Sequence, residues 1–437
     1  MGRFFAGAGA LAIIFAASHA LAAAKGLRFK PTGKPQKAGT AKSLPQSRLV
    51  ALGATVESVL AAGRRLNPTL RAAALDTAAA AAKAAGADKL DDPTISDSYQ
   101  FYRNPNVFSG HAIMVTQAFP LWGKLDLRRE EALAELDAAR GHEQAARDAL
   151  DERIKVAFAQ YYVASRALAV NREVIAVTRG MRAAAEARYA AGRGDQAEII
   201  KALGEETAAE IEGTRLEGDR AAAREVLNAL IARPPSAPLA EPSRLRAVPA
   251  ENITTTQLVA RALGSSPALA ASSAEVSAAH TRATLAEKAW YPDLTVGAGP
   301  LIQTNNRPPG VAATVGLNIP LPWGKEASEQ QAATAQLGAA RQRYEAALLD
   351  IQSALGEAVA RLKAARQAAA LVVRKALPEA RAGLNSLTVD YAQGRGDLAA
   401  AIDAQHRIHD LELKLLQLEF DEQTALAAIE RLIGGEL

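Results

Sequence analysis

The feature that most constrains this chain is an internal repeat. Asn67-Pro68 is matched by Ser266-Pro267, and Asp92-Pro93-Thr94-Ile95 by Tyr291-Pro292-Asp293-Leu294. Phe119-Pro120-Leu121-Trp122-Gly123-Lys124 is matched by Ile319-Pro320-Leu321-Pro322-Trp323-Gly324-Lys325. Tyr189-Ala190-Ala191-Gly192-Arg193-Gly194-Asp195 is matched by Tyr391-Ala392-Gln393-Gly394-Arg395-Gly396-Asp397, and Leu230-Ile231 by Leu432-Ile433. The offset creeps from about 199 to about 202 residues with the order kept. Five matches in order at a near-constant offset mean two structural repeats. They span 49–231 and 253–437. The join, 232–252, holds Pro234, Pro235, Pro238, Pro242 and Pro249, a density that no helix tolerates, so it reads as a linker.

Within each repeat the order of patterns is the same. A helical stretch opens it, Leu49 to Ala85 and then Thr256 to Ala289. A β-hairpin follows, at about 94–119 and 293–319. Val311, Ala313, Val315, Leu317 and Ile319 alternate with Ala312, Thr314, Gly316 and Asn318, the period of a strand with one apolar and one wet face. Leu294, Val296 and Ala298 do the same, as do Ile113, Val115, Gln117 and Phe119. The strand entering the first hairpin, Ser96 to Arg103, is more polar. The turns sit at Asn104-Pro105-Asn106 and at Gln303 to Gly310.

A long helix comes next. Between Lys124 and Tyr189, and between Lys325 and Tyr391, the one proline is Pro378, expected to break the second run or start a new segment. Runs of roughly 65 residues reach about 100 Å. Leu150, Ile154, Phe158, Tyr161, Ser165 and Leu168 step by threes and fours, as do Tyr344, Leu348, Ile351, Leu355, Val359 and Leu362. A Gly-x-Gly-Asp turn reverses the chain, and a shorter helix returns with Ile408, Leu411, Leu415 and Leu418 on its seam. One glycine of each turn is expected to take the left-handed cap, while Asp195 and Asp397 N-cap the outgoing helices. The expected fold is mainly α with a small β part: two repeats of long antiparallel coiled-coil helices and a β-hairpin.

Composition narrows the function. Aromatics are only 5%, which suits thin helical seams better than a thick globular core. There is no cysteine, so disulfides, thiolate metal sites and thiol nucleophiles are excluded. Residues 1–22 read as a secretory signal: Arg3, an apolar run from Phe4 to Ala17, and small residues at Ala20 and Ala22. The basic stretch at 23–48 carries no nucleic-acid motif and reads as a solvated tail. Asp403, His406 and His409 are three apart, but that spacing spreads over about 120° of a helix, and a polar face is the plain reading. His111, His142 and His280 stand isolated. No catalytic pattern stands out, and no cofactor or metal is expected.

Four strands are too few to close a membrane barrel, whose smallest members have about eight. The strands therefore either lie in water against a core or are completed by other subunits.

The two Pro-Leu-(Pro)-Trp-Gly-Lys junctions and the tips Arg188-Tyr189-x-x-Gly192 and Tyr391-x-x-Gly394 resemble the TolC-like outer-membrane efflux proteins. The likeness runs from about Leu49 to Ile433. It implies a homotrimer whose twelve strands form one barrel in outer-membrane lipid, with an α-helical barrel crossing the periplasm. The implied partners are a periplasmic adaptor and an inner-membrane pump, for a passive duct without chemistry of its own. In such proteins the tips close the duct and meet the adaptor; here they are Gly192, Arg193, Gly194 and Asp195, and Gly394, Arg395, Gly396 and Asp397. The resemblance implies an acidic lumen ring at Asp403 and gate links at Glu198 and Tyr391. Gly396 departs from it, standing where the best-known member has a basic linking residue. The Trp-Gly-Lys junctions look like the heavy-metal branch, which serves divalent-cation or copper and silver pumps. The competing expectation is a soluble periplasmic coiled-coil scaffold or adaptor whose hairpins pack as small sandwiches.

Overall fold

The structure, a computed structural model, describes residues 52–101, 110–248, 254–303, 308–321 and 323–437. The expected signal sequence at 1–22, the basic segment at 23–48, and the expected hairpin turns at Asn104-Pro105-Asn106 and 304–307 lie outside the described residues.

Each repeat opens with two helices rather than one. The first has α1 (Val56–Leu66) and α2 (Pro68–Gly86). The second has α5 (Thr255–Ser265) and α6 (Pro267–Lys288). The expectation of a single stretch fails at Asn67 and Ser266, which take extended backbone at ψ 125° and 118°. A following proline disfavours helical ψ, and then serves as the first residue of the next helix.

The strands are β1 (Thr94–Gln100) and β2 (Gly110–Phe119), then β3 (Asp293–Gln303) and β4 (Gly310–Asn318). They form one antiparallel sheet in the order β1-β2-β3-β4. The two hairpins therefore join edge to edge through β2 and β3, pairing Phe119 with Leu294 and Val115 with Ala298. This corrects the alternative in which the hairpins form small sandwiches.

Register gathers most of the strands' apolar residues on one face, which Asp97, His111 and Gln117 interrupt in the first hairpin. Ile95 pairs with Val115, Val115 with Ala298, and Val296 with Val315. Among the described residues nothing covers it: Ile95 is 75% exposed and Val311 82%. The other face carries Thr94, Ser96, Thr116, Thr295, Gly297, Thr314 and Asn318. A sheet greasy on its uncovered side, with both edges unpaired, suits a lipid-facing wall that other strands complete. Among the described residues no helix is long and apolar enough to cross a membrane.

Helix α3 runs unbroken from Lys124 to Ala190, 67 residues or about 100 Å. Its counterpart is α7 (Glu326–Leu371), a π-helical turn at Val372–Ala376, and α8 (Leu377–Ala392). Pro378 explains the difference. It lacks an N–H and its ring would strike the carbonyl of Arg374, so the helix widens by one turn instead of ending. The return helices are α4 (Gln196–Leu230) and α9 (Leu398–Ile433).

The core is built twice. Ile154, Phe158, Leu227 and Ile231 pack with Val59 in the first repeat. Leu355, Val359, Ile429 and Ile433 pack with Leu258 in the second, at matching places. Burial of each such side chain stabilises the fold by about 1.5–3 kcal/mol. The linker lies against this base: Ala240 and Ser243 donate backbone hydrogen bonds to Leu52 and Ala54, and Arg246 reaches Glu430 at 2.6 Å.

Candidate functional site

Both hairpin tips are closed by local chemistry. Gly192 and Gly394 take φ of +68° and +76°, which costs glycine nothing and ends α3 and α8. Asp195 accepts from Ala197 N at 3.2 Å, and Asp397 from Ala399 N at 3.0 Å. Each carboxylate satisfies a free N–H of the helix it starts. Gly396 has a separate steric role. A Cβ there would lie 2.7 Å from the backbone nitrogen of Tyr391, so the turn excludes any side chain.

The cation comes from the other repeat. Arg188, on the last turn of α3, donates to the carbonyl of Tyr391 at 2.7 Å, and its guanidinium sits 4.2 Å from the Tyr391 ring centre. Tyr391 is buried, and its hydroxyl donates to Glu198 of α4 at 2.9 Å. Burial, reinforced by the bond to Glu198, pushes the Tyr391 phenol up to about 12. Beneath this contact Met181, Ala185, Ala202, Leu398, Ala401 and Ile402 form a small core shared by both repeats. Arg193, Arg395, Asp195 and Asp397 remain exposed at the end of the hairpins. The structure thus brings Tyr391 and Glu198 together and leaves the four tip charges outward.

Asp403 is exposed on α9 and lines an open groove with Glu379, Gly383 and Arg407. His406, beside Asp403 on the same open surface, pairs with Glu205 of α4 at 3.0 Å. Among the described residues no group of three His, Asp or Glu side chains is set to hold a metal. His111 and His142 are isolated in sequence but not in space. His111 lies 3.0 Å from Asp97 on the neighbouring strand, and His142 2.9 Å from Glu275 of α6.

Two charged clusters escaped sequence reasoning. Near the sheet, buried Lys124 lies 2.8 Å from Asp293 and donates to Tyr291 O at 2.8 Å. Trp122 donates its indole N–H to Pro292 O at 2.9 Å. At the base, Lys155 and Glu430 are both buried and 2.8 Å apart. The first cluster was signalled only by the repeated Trp-Gly-Lys motif. The second joins residues 275 apart in sequence and has no local signal.

The model of the family described as outer membrane efflux protein matches this chain twice, over residues 61–233 and 258–435. The cobalt-zinc-cadmium resistance protein CzcC of Cupriavidus metallidurans is 28% identical over 308 residues, covering 70% of this chain and 71% of that one. A membrane protein from Pseudomonas aeruginosa has a TM-score of 0.75 at 19% identity, covering 93% of this chain and 97% of that one. CusC, studied for transmembrane channel formation, has a TM-score of 0.74 at 16% identity, with 91% and 96% covered. Those two likenesses carry the fold, and the double family match carries the relationship: this chain belongs to the outer membrane efflux protein family.

Proposed function

We propose that this outer-membrane efflux channel is the exit-duct subunit of a tripartite pump for heavy-metal cations, working as a homotrimer. The observation that carries the trimer is the four-stranded sheet with an uncovered apolar face and two free edges. Three copies supply twelve strands, enough for a closed wall in the outer membrane, and their helices extend it into the periplasm. The metal assignment is supported by CzcC, whose name records cobalt, zinc and cadmium resistance. The duct acts passively, without catalysis.

The tips are the gate and the adaptor-docking end. The Tyr391–Glu198 and Arg188–Tyr391 contacts hold the two hairpins of one subunit together at the narrow end. The exposed Arg193, Asp195, Arg395 and Asp397 are the groups offered to a periplasmic adaptor, which in turn meets an inner-membrane pump. Asp403, three copies to a ring, lines the lumen.

A strain lacking this chain should lose tolerance to zinc, cobalt, nickel, copper or silver more than to a drug panel, and regain it on complementation. Unchanged metal tolerance with lost drug tolerance overturns the cargo and leaves the duct.

A further inference from the structure

Trp122 and Lys124 of the first repeat grip Tyr291, Pro292 and Asp293 of the second, through the contacts given above. Trp122 is held at φ +62°, a left-handed value that a bulky residue keeps only where its surroundings fix it. Its ring lies 5.4 Å from that of Tyr291.

The second repeat carries the same gripping half, Trp323-Gly324-Lys325, and among the described residues it has no matching grip. Trp323 is 82% exposed. Among the described residues Lys325 pairs with Glu329, one turn along its own helix, at 3.1 Å. Trp323 and Gly324 are not among the described residues with left-handed φ. The first repeat carries the gripped half, Asp92-Pro93, and both residues are exposed. Asp92-Pro93 leads into β1 and Trp323 follows β4, the two edges of the sheet, so the halves lie at opposite edges of one chain.

We infer that Trp323 and Lys325 dock on Asp92 and Pro93 of a second copy of this chain, repeating between subunits the grip that Trp122 and Lys124 make within one. The Trp323 indole N–H donates to the Pro93 carbonyl, and Lys325 pairs with the Asp92 carboxylate. This is a head-to-tail contact, the kind that closes a ring when the rotation allows.

Strand register supports it independently. Carrying the β2–β3 pairing over by the repeat match sets Ile319 against Ile95 of the neighbour and Val315 against Tyr99. Ile95, Tyr99 and Val315, with Ile319 one residue past β4, follow the parity of that face, as a continuous sheet requires. A paired loss supports it further. In the inner junction Leu121 N donates to Asp293 at 3.1 Å. Counting back from the tryptophan, Pro322 replaces Leu121 and has no N–H; counting from the proline, Thr94 replaces Asp293 and has no carboxylate. Both halves of that one bond are missing together, and Asp92 supplies the acid instead.

The inference rests on the homotrimer proposed above, and its test separates the two. The chain has no cysteine, so introduced pairs report without background. Full-length protein in outer-membrane fractions is treated with a short bis-maleimide. The Asp92→Cys/Lys325→Cys chain should give covalent dimers and trimers on denaturing gels, and neither single variant should. The Lys124→Cys/Asp293→Cys chain should close on itself and run as a monomer, which calibrates the reach. A ladder from the strand-edge pair Tyr99→Cys/Val315→Cys without one from Asp92→Cys/Lys325→Cys overturns the docking and leaves the trimer. No ladder from either pair, in a chain that runs as a monomer on mild gels, overturns both. Charge exchange gives a second reading. Asp92→Lys should lower the temperature at which the trimer band is lost, and adding Lys325→Asp should restore it. A further drop in the double variant overturns the pairing.

Discussion

Tyr391 of the second repeat donates its hydroxyl to Glu198 of the first at 2.9 Å, tying together two hairpin tips that lie 193 residues apart in sequence. The bond exists while the phenol keeps its proton. A free tyrosine titrates near 10, and this one is pushed up to about 12, chiefly by burial. Its stabilisation is therefore complete below about pH 10 and is lost as pH rises through about 12. Conductance of the purified channel in planar bilayers should climb across that window. Tyr391→Phe, which has no hydroxyl, should conduct several-fold more at neutral pH and stay flat across the same window. A Tyr391→Phe channel as closed as the parent removes this bond from the gate.

The tip glycines give a steric prediction. Gly394→Ala places a Cβ at φ +76°, at a cost of about 1–2 kcal/mol. Hydrogen-exchange protection around Tyr391 and Leu398 should fall by roughly 5- to 30-fold. Gly396→Arg, which puts a basic residue at this place in the turn, should loosen the tip rather than link it. Its Cβ would meet the Tyr391 nitrogen at 2.7 Å. Unchanged exchange in Gly396→Arg would mean that the turn moves freely.

The tips were legible because their causes are local. A glycine that must go left-handed and an aspartate that caps two residues on are set by a few neighbouring positions. The four strands were legible for the same reason, since period-two alternation is a nearest-neighbour pattern. The break at Asn67 was not expected, although the rule for a residue before proline was available; the apolar spacing on either side masked it. Arg188 was visible only as part of a signature, and its hold on Tyr391 spans 203 residues. Lys124 on Asp293 and Lys155 on Glu430 are likewise set by which helices and strands become neighbours. The π turn at Val372–Ala376 lies between these cases: Pro378 announced a disturbance, and packing by Leu377, Val372 and Leu418 kept the helix running through it.

Glu430 joins three parts of the chain. It takes Lys155 from α3 and Arg246 from the linker, and it is itself buried. Burial pushes its carboxyl up, but the Arg246 and Lys155 bonds together outweigh that and leave it below the ordinary glutamate value. The contribution is present above about pH 4.5 and is lost as pH falls through the lower folded value. Glu430→Ala leaves buried Lys155 and half-buried Arg246 without their shared partner, and the expected cost is about 3 kcal/mol. Its thermal midpoint should drop at neutral pH, and its acid denaturation should lose part of the parent's dependence below pH 4.5. Lys155→Met should cost less, because Arg246 still holds the carboxylate.

Asp403 is an exposed carboxylate on the groove side of α9, two turns from the second tip. Arg407, one turn further, lines the same groove, so each copy offers an anion and a cation in series. Asp403 lies one turn nearer the tip than Arg407, and in the proposed three-fold ring the level nearer the gate sets the field. A ring of three carboxylates there favours cations over anions. Asp403→Asn keeps the shape and removes three charges. The ratio of cation to anion permeability, read from reversal potentials in a salt gradient, should fall several-fold, while Glu379→Gln on α8 should change it less. An equal loss from both variants would assign selectivity to the whole groove, and no loss from Asp403→Asn would place the carboxylate away from the conduction path.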